Sequence, residues 1–299
     1  MNVLVDAVLP IALVALSGVC LGKAFRIDLS TLAKISIYAL LPALVITGVY
    51  DSSLGLGVTL RILLVFLLNC AVLYSIAIAC GHRLKLPADV RKSLVATTLL
   101  ANTGNIGLPF VLFSVGEAGL ARAIVYLVIS ALFLAGFGPV FLKGEGLKVG
   151  LKVTLTLPVL WATLGGLALQ VFALQVPTAI DRALSLMGEA AIPIALLTLG
   201  IQLSQIRFHV GLYELLAAGL RLGVSPITAY GIGRVVGLEG IDLTVVVLQS
   251  AMPVAVNTLI WVTEFGGDTV RVARSIVVTT LLSFVSLPTV LWLITQATH

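Results

Sequence analysis

The chain has 299 residues, of which 60% are hydrophobic and only 10% are charged, and its mean hydropathy is +1.17. A soluble protein needs a polar surface and averages about 25% charged residues, so this composition excludes a soluble domain and indicates a polytopic membrane protein. The net charge of +5 then indicates orientation in a membrane rather than binding to nucleic acid.

Ten apolar segments follow one another along the chain, each long enough to cross a bilayer as a helix of about 20 residues. The predicted spans are 3–22, 31–49, 57–80, 92–115, 121–142, 152–172, 183–203, 211–236, 243–264 and 271–295. The first lacks a basic n-region, so we interpret it as a transmembrane helix rather than a cleavable signal. Residues 1–142 and 153–299 are therefore predicted to form two five-helix halves, joined by a short linker at 143–152.

Lys and Arg residues are distributed unevenly between the two ends of these spans. Thirteen lie on the side that carries residues 23–34 and 143–152, and four lie on the opposite side. Because cytoplasmic loops are enriched in Lys and Arg, the linker is predicted to be cytoplasmic. Both termini are then predicted to lie outside, in a multi-pass protein of the inner cell membrane.

The two halves resemble each other in sequence. Gly18 recurs 148 positions later as Gly166, and Pro42 recurs 151 positions later as Pro193. Since each half has an odd number of predicted spans, the second copy must enter the membrane in the opposite orientation. Inverted repeats are typical of secondary transporters, in which the substrate binds near the membrane midplane between the repeats.

The fourth and ninth spans each contain a segment that is a poor transmembrane helix. The candidate binding residues in these segments are Asn102, Thr103, Gly104, Asn105, Gly107, Pro109, Gln249, Ser250, Pro253, Val254 and Asn257. Proline lacks an N–H and frees a carbonyl one turn earlier, and free backbone groups survive in a membrane only inside protein or beside a cavity. We therefore predict that Pro109 and Pro253 open two crossing helices, with Asn105 and Asn257 facing a substrate cavity. At an offset of 148, Asn105 corresponds to Pro253 and Pro109 to Asn257.

The half-helices after these breaks predict the charge of the substrate. Each begins with unpaired N–H groups and a partial positive charge, which suit an anion. The breaks carry amides, whereas a cation/proton antiporter, the alternative function, normally has Asp or Glu there. The carboxylates Asp6, Glu117, Glu189 and Glu264 are instead expected near the ends of spans.

Arg221 lies inside the eighth span, where a charged residue indicates a functional role. A pair with Glu214 on the same helix face, a role in substrate binding and an extension to the cytoplasmic surface are all open at this point. The sequence contains no HExxH, GxSxG or P-loop motif. No cofactor or metal is therefore expected, and an intramembrane enzyme is a distant alternative.

These motifs resemble the auxin efflux carrier family, which includes the plant PIN proteins and bacterial organic-acid permeases. The resemblance rests on Asn102-Thr103 with Gly107-Leu108-Pro109, on Gln249 to Pro253, and on Arg221 with Pro226. It implies ten helices, two of them crossing and broken, and a homodimer with an elevator-like mechanism. The implied scaffold is about 1–50 and 152–204, and the implied transport domain is about 57–142 and 210–296. The implied substrate is a small organic anion, either malate- or malonate-like or auxin-like.

Overall fold

The structure, a computed structural model, describes residues 7–52, 54–143, 147–206 and 209–297. Contiguous helical segments form thirteen helices in this part of the chain, which contains no strand. The helices are α1 (Leu9–Ala24), α2 (Leu29–Tyr50), α3 (Leu56–Arg83), α4 (Ala88–Leu99), α5 (Thr103–Val115), α6 (Glu117–Lys143), α7 (Leu147–Thr156), α8 (Pro158–Val171), α9 (Thr178–Gln205), α10 (Leu212–Val236), α11 (Gly240–Ser250), α12 (Thr258–Phe265) and α13 (Thr269–Ala297).

Six of the described helices, α2, α3, α6, α9, α10 and α13, are long and apolar enough to cross a membrane, and α7 with α8, bent by 66°, can supply a seventh span. Each of the ten predicted segments coincides with one helix or one pair of helices. The prediction of an all-helical, multi-pass protein is therefore confirmed, whereas ten crossings in two inverted repeats stay a prediction. Asp6, both chain termini and linker residues 144–146 lie outside the described residues.

Local sequence determines where several helices begin and end. α2 begins at Asp28, whose carboxylate accepts hydrogen bonds from the N–H groups of Ser30 and Thr31 at 3.0 and 3.3 Å, as N-cap residues do. α10 ends at Gly237, which has a left-handed φ of +81°. Glycine adopts this conformation without strain and commonly terminates helices.

Three prolines follow π-helical turns within longer helices. The turns Ser36–Leu40, Thr103–Gly107 and Gly219–Val224 each end two residues before a proline, at Pro42, Pro109 and Pro226 respectively. A proline ring clashes with the carbonyl one turn earlier, and the wider π turn gives this carbonyl room. Pro109 therefore lies inside α5 and not at the opening of the fourth span, which corrects the prediction from sequence.

Helices α1 and α9 pack closely, as do α2 and α8, through glycine residues. A Cβ atom on Gly18 would overlap the carbonyl oxygen of Leu197, and one on Gly166 would lie 3.0 Å from Cβ of Val49. Small residues let transmembrane helices approach in this way. The two contacts are related by the same offset of 148 positions, so each half of the chain makes the same packing contact with the other half.

The remaining helices pack around the two broken pairs, α4–α5 and α11–α12. α10 packs against α3 and α11, and α13 packs against α4, α10 and α12. This group touches the α1, α2, α8 and α9 group mainly where α2 meets α6 and where α9 meets the start of α5. The boundary between the two groups therefore runs past the breaks.

Candidate functional site

The two broken helices meet where their helical backbone is interrupted. The N–H of Asn102 donates to the carbonyl of Pro253 at 2.8 Å, and the N–H of Ala255 donates to the carbonyl of Leu100 at 2.9 Å. These bonds form an isolated antiparallel β-bridge between Ala101 and Val254. Backbone groups freed by one break therefore satisfy those freed by the other, as a membrane interior requires.

This bridge shows which residues of the two breaks correspond. Leu100 is related to Pro253, and Asn102 to Ala255, by an offset of 153 rather than 148 positions. The alignment that matched Asn105 with Pro253 is therefore wrong at the breaks, and so is that of Pro109 with Asn257. The offset already differs from 148 positions at the start of the helices that lead into the breaks, since α4 starts at residue 88 and α11 at residue 240.

The half-helix after the first break, α5, has a capped N-terminus. Oδ1 of Asn102 accepts a hydrogen bond from the N–H of Asn105 at 3.1 Å, which satisfies one of the otherwise free N–H groups. The hydroxyls of Thr103 and Ser130 form a hydrogen bond of 3.2 Å that fixes this turn on α6. Asn102 and Thr103 are buried, whereas Asn105 is partly exposed.

The half-helix after the second break, α12, has no such cap. Asn257 occupies the N-cap position, but its side chain makes no capping hydrogen bond and is exposed. The break before it is held from α13, where Oγ1 of Thr279 accepts a hydrogen bond from the N–H of Val254 at 3.1 Å. The N–H groups of Thr258 and Leu259 donate to the carbonyls of Ala255 and Val256 at 3.0 and 3.1 Å, so the exposed amide of Asn257 is the group at this end of α12 that is available to a ligand.

Arg221, in the π turn of α10, binds the ends of the two helices that enter the breaks. Nε donates to the carbonyl of Met252 at 3.0 Å, Nη1 to that of Thr98 at 2.7 Å, and Nη2 to that of Ser250. Nη2 also donates to Oγ of Ser225 at 2.9 Å. Carbonyls at helix C-termini carry partial negative charge, so two helix ends compensate this buried guanidinium in place of a carboxylate.

Glu214, the carboxylate considered as a partner of Arg221, has a different role. Its Oε2 accepts a hydrogen bond from the N–H of Gly211 at 2.9 Å and so caps α10. The ion pairs found between described residues are Arg122–Asp242 and Arg271–Asp268. Among the alternatives that the sequence left open, the structure gives Arg221 a fully buried position that orders the crossover from behind the binding residues.

A cavity of about 380 Å³ lies beside the crossover. Five of the predicted site residues line it: Asn102, Thr103, Gly104, Asn105 and Asn257. Asn69, Tyr126 and Ser130 add polar groups from α3 and α6, and Arg221 is the charged residue among the described residues of the wall. The polar groups of the cavity are thus concentrated at the crossover.

The rest of the cavity wall is apolar and partly aromatic. It includes Phe66, Leu73, Leu108, Phe133 and Trp261. Edge-to-face packing of Phe66 on Tyr126 and on Phe133, each with ring centroids 5.3 Å apart, fixes part of this surface. The cavity therefore combines a polar end with an apolar body.

Six predicted site residues lie behind the cavity wall and do not line it. Gly107, Pro109, Gln249, Ser250, Pro253 and Val254 are all buried. A Cβ atom on Gly107 would overlap the side-chain amide of Gln249, so glycine is needed for α5 to cross α11 this closely. The hydroxyl of Ser250 lies 3.0 Å from that of Tyr126 in a hydrogen bond. These residues support the crossover, and the residues in front of them form the surface available to a ligand.

Sequence reasoning missed three polar residues that support the site from α3 and α10. The hydroxyl of Thr228 donates to Oδ1 of Asn69, and Nδ2 of Asn69 donates to Oγ of Ser225 at 3.4 Å. Ser225 in turn binds Arg221, so α3 is linked to the crossover. The available signal was the position of Asn69, a buried amide in the middle of the predicted span 57–80, with apolar residues on both sides of it.

A second cavity, of about 670 Å³, lies between the two helix groups, along the second half of α2 and the first half of α9. Asp51, Glu117 and Glu189 line it together with Arg122. Glu189 was expected near the end of a span, but α9 begins at Thr178, so Glu189 lies well inside this helix. Asp51 follows the last residue of α2, and partial burial raises its pKa, as does the nearby charge of Asp181.

Comparisons with known proteins match almost the whole chain. The profile of a family described as membrane transport protein matches residues 145–291. An uncharacterized transporter of Methanothermobacter thermautotrophicus is 31% identical over 297 residues, which cover 96% of each chain. An uncharacterized transporter of Methanocaldococcus jannaschii is 30% identical over 233 residues, which cover 75% of each chain.

Proposed function

The chain belongs to the membrane transport protein family, in agreement with its resemblance to auxin efflux carriers, and on this premise we propose that it transports a small organic anion by alternating access. The observation that carries the proposal is the polar end of the 380 Å³ cavity. There, Asn105 and the exposed amide of Asn257 stand at the N-termini of two half-helices that meet at the crossover.

Electrostatics favour an anion at this position. A helix N-terminus stabilises a negative charge by roughly 0.3–1 kcal/mol when exposed and by up to about 2 kcal/mol when partly buried. Two such termini lie at the polar end of the cavity, and no carboxylate lies among the described residues that line it. A cation in this cavity would find no carboxylate partner among the described residues of its wall.

The cavity wall favours an anion with an apolar body. Phe66, Phe133 and Trp261 offer aromatic surface in the wall of the same cavity, which suits an auxin-like aromatic carboxylate. A malate- or malonate-like dianion would place its second carboxylate against this apolar surface, and an unpaired buried charge is strongly unfavourable. Of the two substrate types that the sequence suggests, the structure thus supports the amphipathic monocarboxylate better.

Alternating access is supported by two cavities that extend towards opposite ends of α2. The first extends to Ser36 and Val153, close in sequence to Lys34 and Lys152 on the side that the charge distribution assigns to the cytoplasm. The second is lined by Arg122, on the side assigned to the exterior. We propose that the helices around α4–α5 and α11–α12 move as a transport domain against a scaffold of α1, α2, α8 and α9. The homodimer and the orientation of the termini stay predictions.

A cation/proton antiporter is the second candidate, and Glu189 is the observation that favours it. This carboxylate is exposed within α9, lines the second cavity and lies one turn before Pro193. Membrane-embedded carboxylates are common proton carriers. The two candidates differ in what Glu189→Gln does: proton coupling predicts loss of pH-driven transport, whereas anion transport without proton coupling predicts an unchanged dependence on pH.

Uptake of isotope-labelled acids into proteoliposomes tests the proposed function. We expect accumulation of indole-3-acetate and phenylacetate, with weaker uptake of malate and malonate and none of the neutral amide indole-3-acetamide. The amide is the matched control because it keeps the apolar ring and lacks the charge. Equal uptake of acid and amide, or uptake of alkali cations in place of acids, would reject the proposal.

A further inference from the structure

Arg221 occupies a cage of backbone carbonyls at the point where the two broken helices cross. We propose that its guanidinium is a built-in cation that fills this cage in place of a diffusible cation, so that anion binding at the crossover needs no sodium. The first part, that Arg221 fills the cage, concerns the crossover itself. The second part, that anion binding needs no sodium, rests on the proposed function.

The cage is formed by the ends of both entering half-helices. Its carbonyls belong to Thr98 and Leu99 of α4, and to Ser250 and Met252 at the end of α11. In transporters with broken helices, carbonyls at unwound segments and half-helix C-termini bind the coupling cation. In this chain the same kind of oxygen atoms already accept hydrogen bonds from one guanidinium.

The geometry of an arginine side chain fits this cage closely. A guanidinium offers five N–H donors in one plane and stays protonated, and here Nε, Nη1 and Nη2 all donate hydrogen bonds to partners on two helices. Ser225 fixes its orientation, because Oγ accepts from Nη2 and donates to the carbonyl of Ser250 at 2.8 Å. The side chain is only 2% exposed, so water does not compete for these carbonyls.

The covalent attachment of this cation has a consequence for transport. A bound sodium ion is released with the substrate on the far side of the membrane, whereas a guanidinium that belongs to α10 stays in the protein. The positive charge is then present at the crossover in every step of the cycle. No cation from this cage accompanies the transported anion.

The first experiment empties the cage and refills it. We expect Arg221→Ser to lower the melting temperature of the purified protein, and guanidinium at about 10 mM, far below the molar range that unfolds proteins, to restore most of it. Sodium at the same concentration should restore little, because it lacks the donor geometry. Arg61→Ser is the matched control, since Arg61 also donates to a backbone carbonyl, that of Gly237 at 3.1 Å, but is exposed. Guanidinium should not change its melting temperature.

The result that would overturn the first part is a melting temperature of Arg221→Ser that guanidinium leaves unchanged, or raises no more than it raises that of Arg61→Ser. Arg221→Lys covers the case in which the serine variant does not fold. It keeps a tethered charge with three donors, so it should melt between the wild type and Arg221→Ser and gain nothing from guanidinium. A gain equal to that of Arg221→Ser would also contradict a filled cage.

The second experiment asks whether the wild type needs sodium. Binding of indole-3-acetate is measured by thermal shift in sodium or in choline at about 100 mM, so that charge screening is the same in both salts. We expect equal affinities in the two salts, and an affinity at least tenfold weaker in choline would overturn the inference. Absence of binding in both salts would instead contradict the proposed function, and the guanidinium experiment would still decide the role of Arg221.

Discussion

The two breaks at the crossover begin as equivalent backbone features but present different surfaces to the cavity. In the first, three residues separate α4 from α5, and Asn102 caps the new helix while Thr103 binds α6. In the second, seven residues separate α11 from α12, and the side chain of Asn257 is exposed and caps nothing.

This difference suggests that the two halves of the crossover have divided their tasks. The hydrogen bonds of Asn102 and Thr103 fix the first break in place. The second break is held by Thr279 and by its bridge to the first, and the side chain of Asn257 is left for a ligand. An approximate repeat can therefore retain a symmetric backbone while only one copy supplies a side chain that is free to bind a ligand.

The strongest test of this division places a negative charge at Asn257, the N-cap residue of α12. Asn257→Asp keeps the size of the side chain, and at about 4 Å from a bound carboxylate in an effective dielectric near 20 it repels by roughly 4 kcal/mol. We expect affinity for the acid to fall about a thousandfold, as measured by isotope binding at pH 8. The loss should ease towards pH 5, because the new carboxylate can take up a proton.

Asn105→Asp is the comparison for this variant on the first break. Asn105 is only partly exposed, and its N–H is already bound by Asn102, so we expect a loss in the same direction but smaller. Unchanged affinity of Asn257→Asp at pH 8 would show that the anion does not bind at α12. A larger loss for Asn105→Asp would reverse the assigned roles of the two breaks.

A smaller effect is expected where the two half-helices touch. Gly107 has ordinary helical backbone angles, but a methyl group there would overlap the amide of Gln249. Gly107→Ala should therefore destabilise the protein by about 1–3 kcal/mol, seen as a lower melting temperature in detergent. Gly104→Ala is the matched control, because its Cβ would meet only Leu127, at an ordinary 3.5 Å. If both variants melt at the wild-type temperature, the crossing is looser than described.

The smallest effect compares the two N-cap residues directly. Asn102→Ala removes a cap and should lower stability by about 1 kcal/mol, whereas Asn257→Ala removes no capping bond and should leave the melting temperature nearly unchanged. For binding the order should reverse. Loss of one hydrogen bond at Asn257 costs about 1 kcal/mol, or roughly fivefold in affinity. Equal melting temperatures for the two alanine variants would contradict the difference between the breaks.

The fold was predictable from sequence to the level of its helices, because long apolar segments and their charged ends are strong signals in a membrane protein. The two breaks were also predictable, since Asn, Gly and Pro cluster in the middle of otherwise apolar spans. Their register was not. The offset between the halves drifts from 148 to 153 positions, and only the β-bridge between Ala101 and Val254 reveals which residues face each other.

The location of the site was predictable from sequence, but the side chains that form its surface were not. A motif identifies a break in a helix, yet it does not tell which side chains point into the cavity, so Gly107, Gln249 and Pro253 were grouped with Asn105 and Asn257. The role of Arg221 was also hidden, because its partners are carbonyls of residues 98–99 and 250–252. Every residue has a backbone carbonyl, so the sequence does not indicate which carbonyls bind Arg221.

The most direct test of the anion site is a structure of the protein with a bromine-labelled aromatic carboxylate such as 4-bromophenylacetate. Anomalous scattering locates the bromine independently of the protein. We expect the carboxylate beside Asn105 and Asn257, with the bromine among Phe66, Leu73 and Phe133. A ligand bound only in the second cavity, near Glu189, or a carboxylate that points away from the crossover, would contradict it.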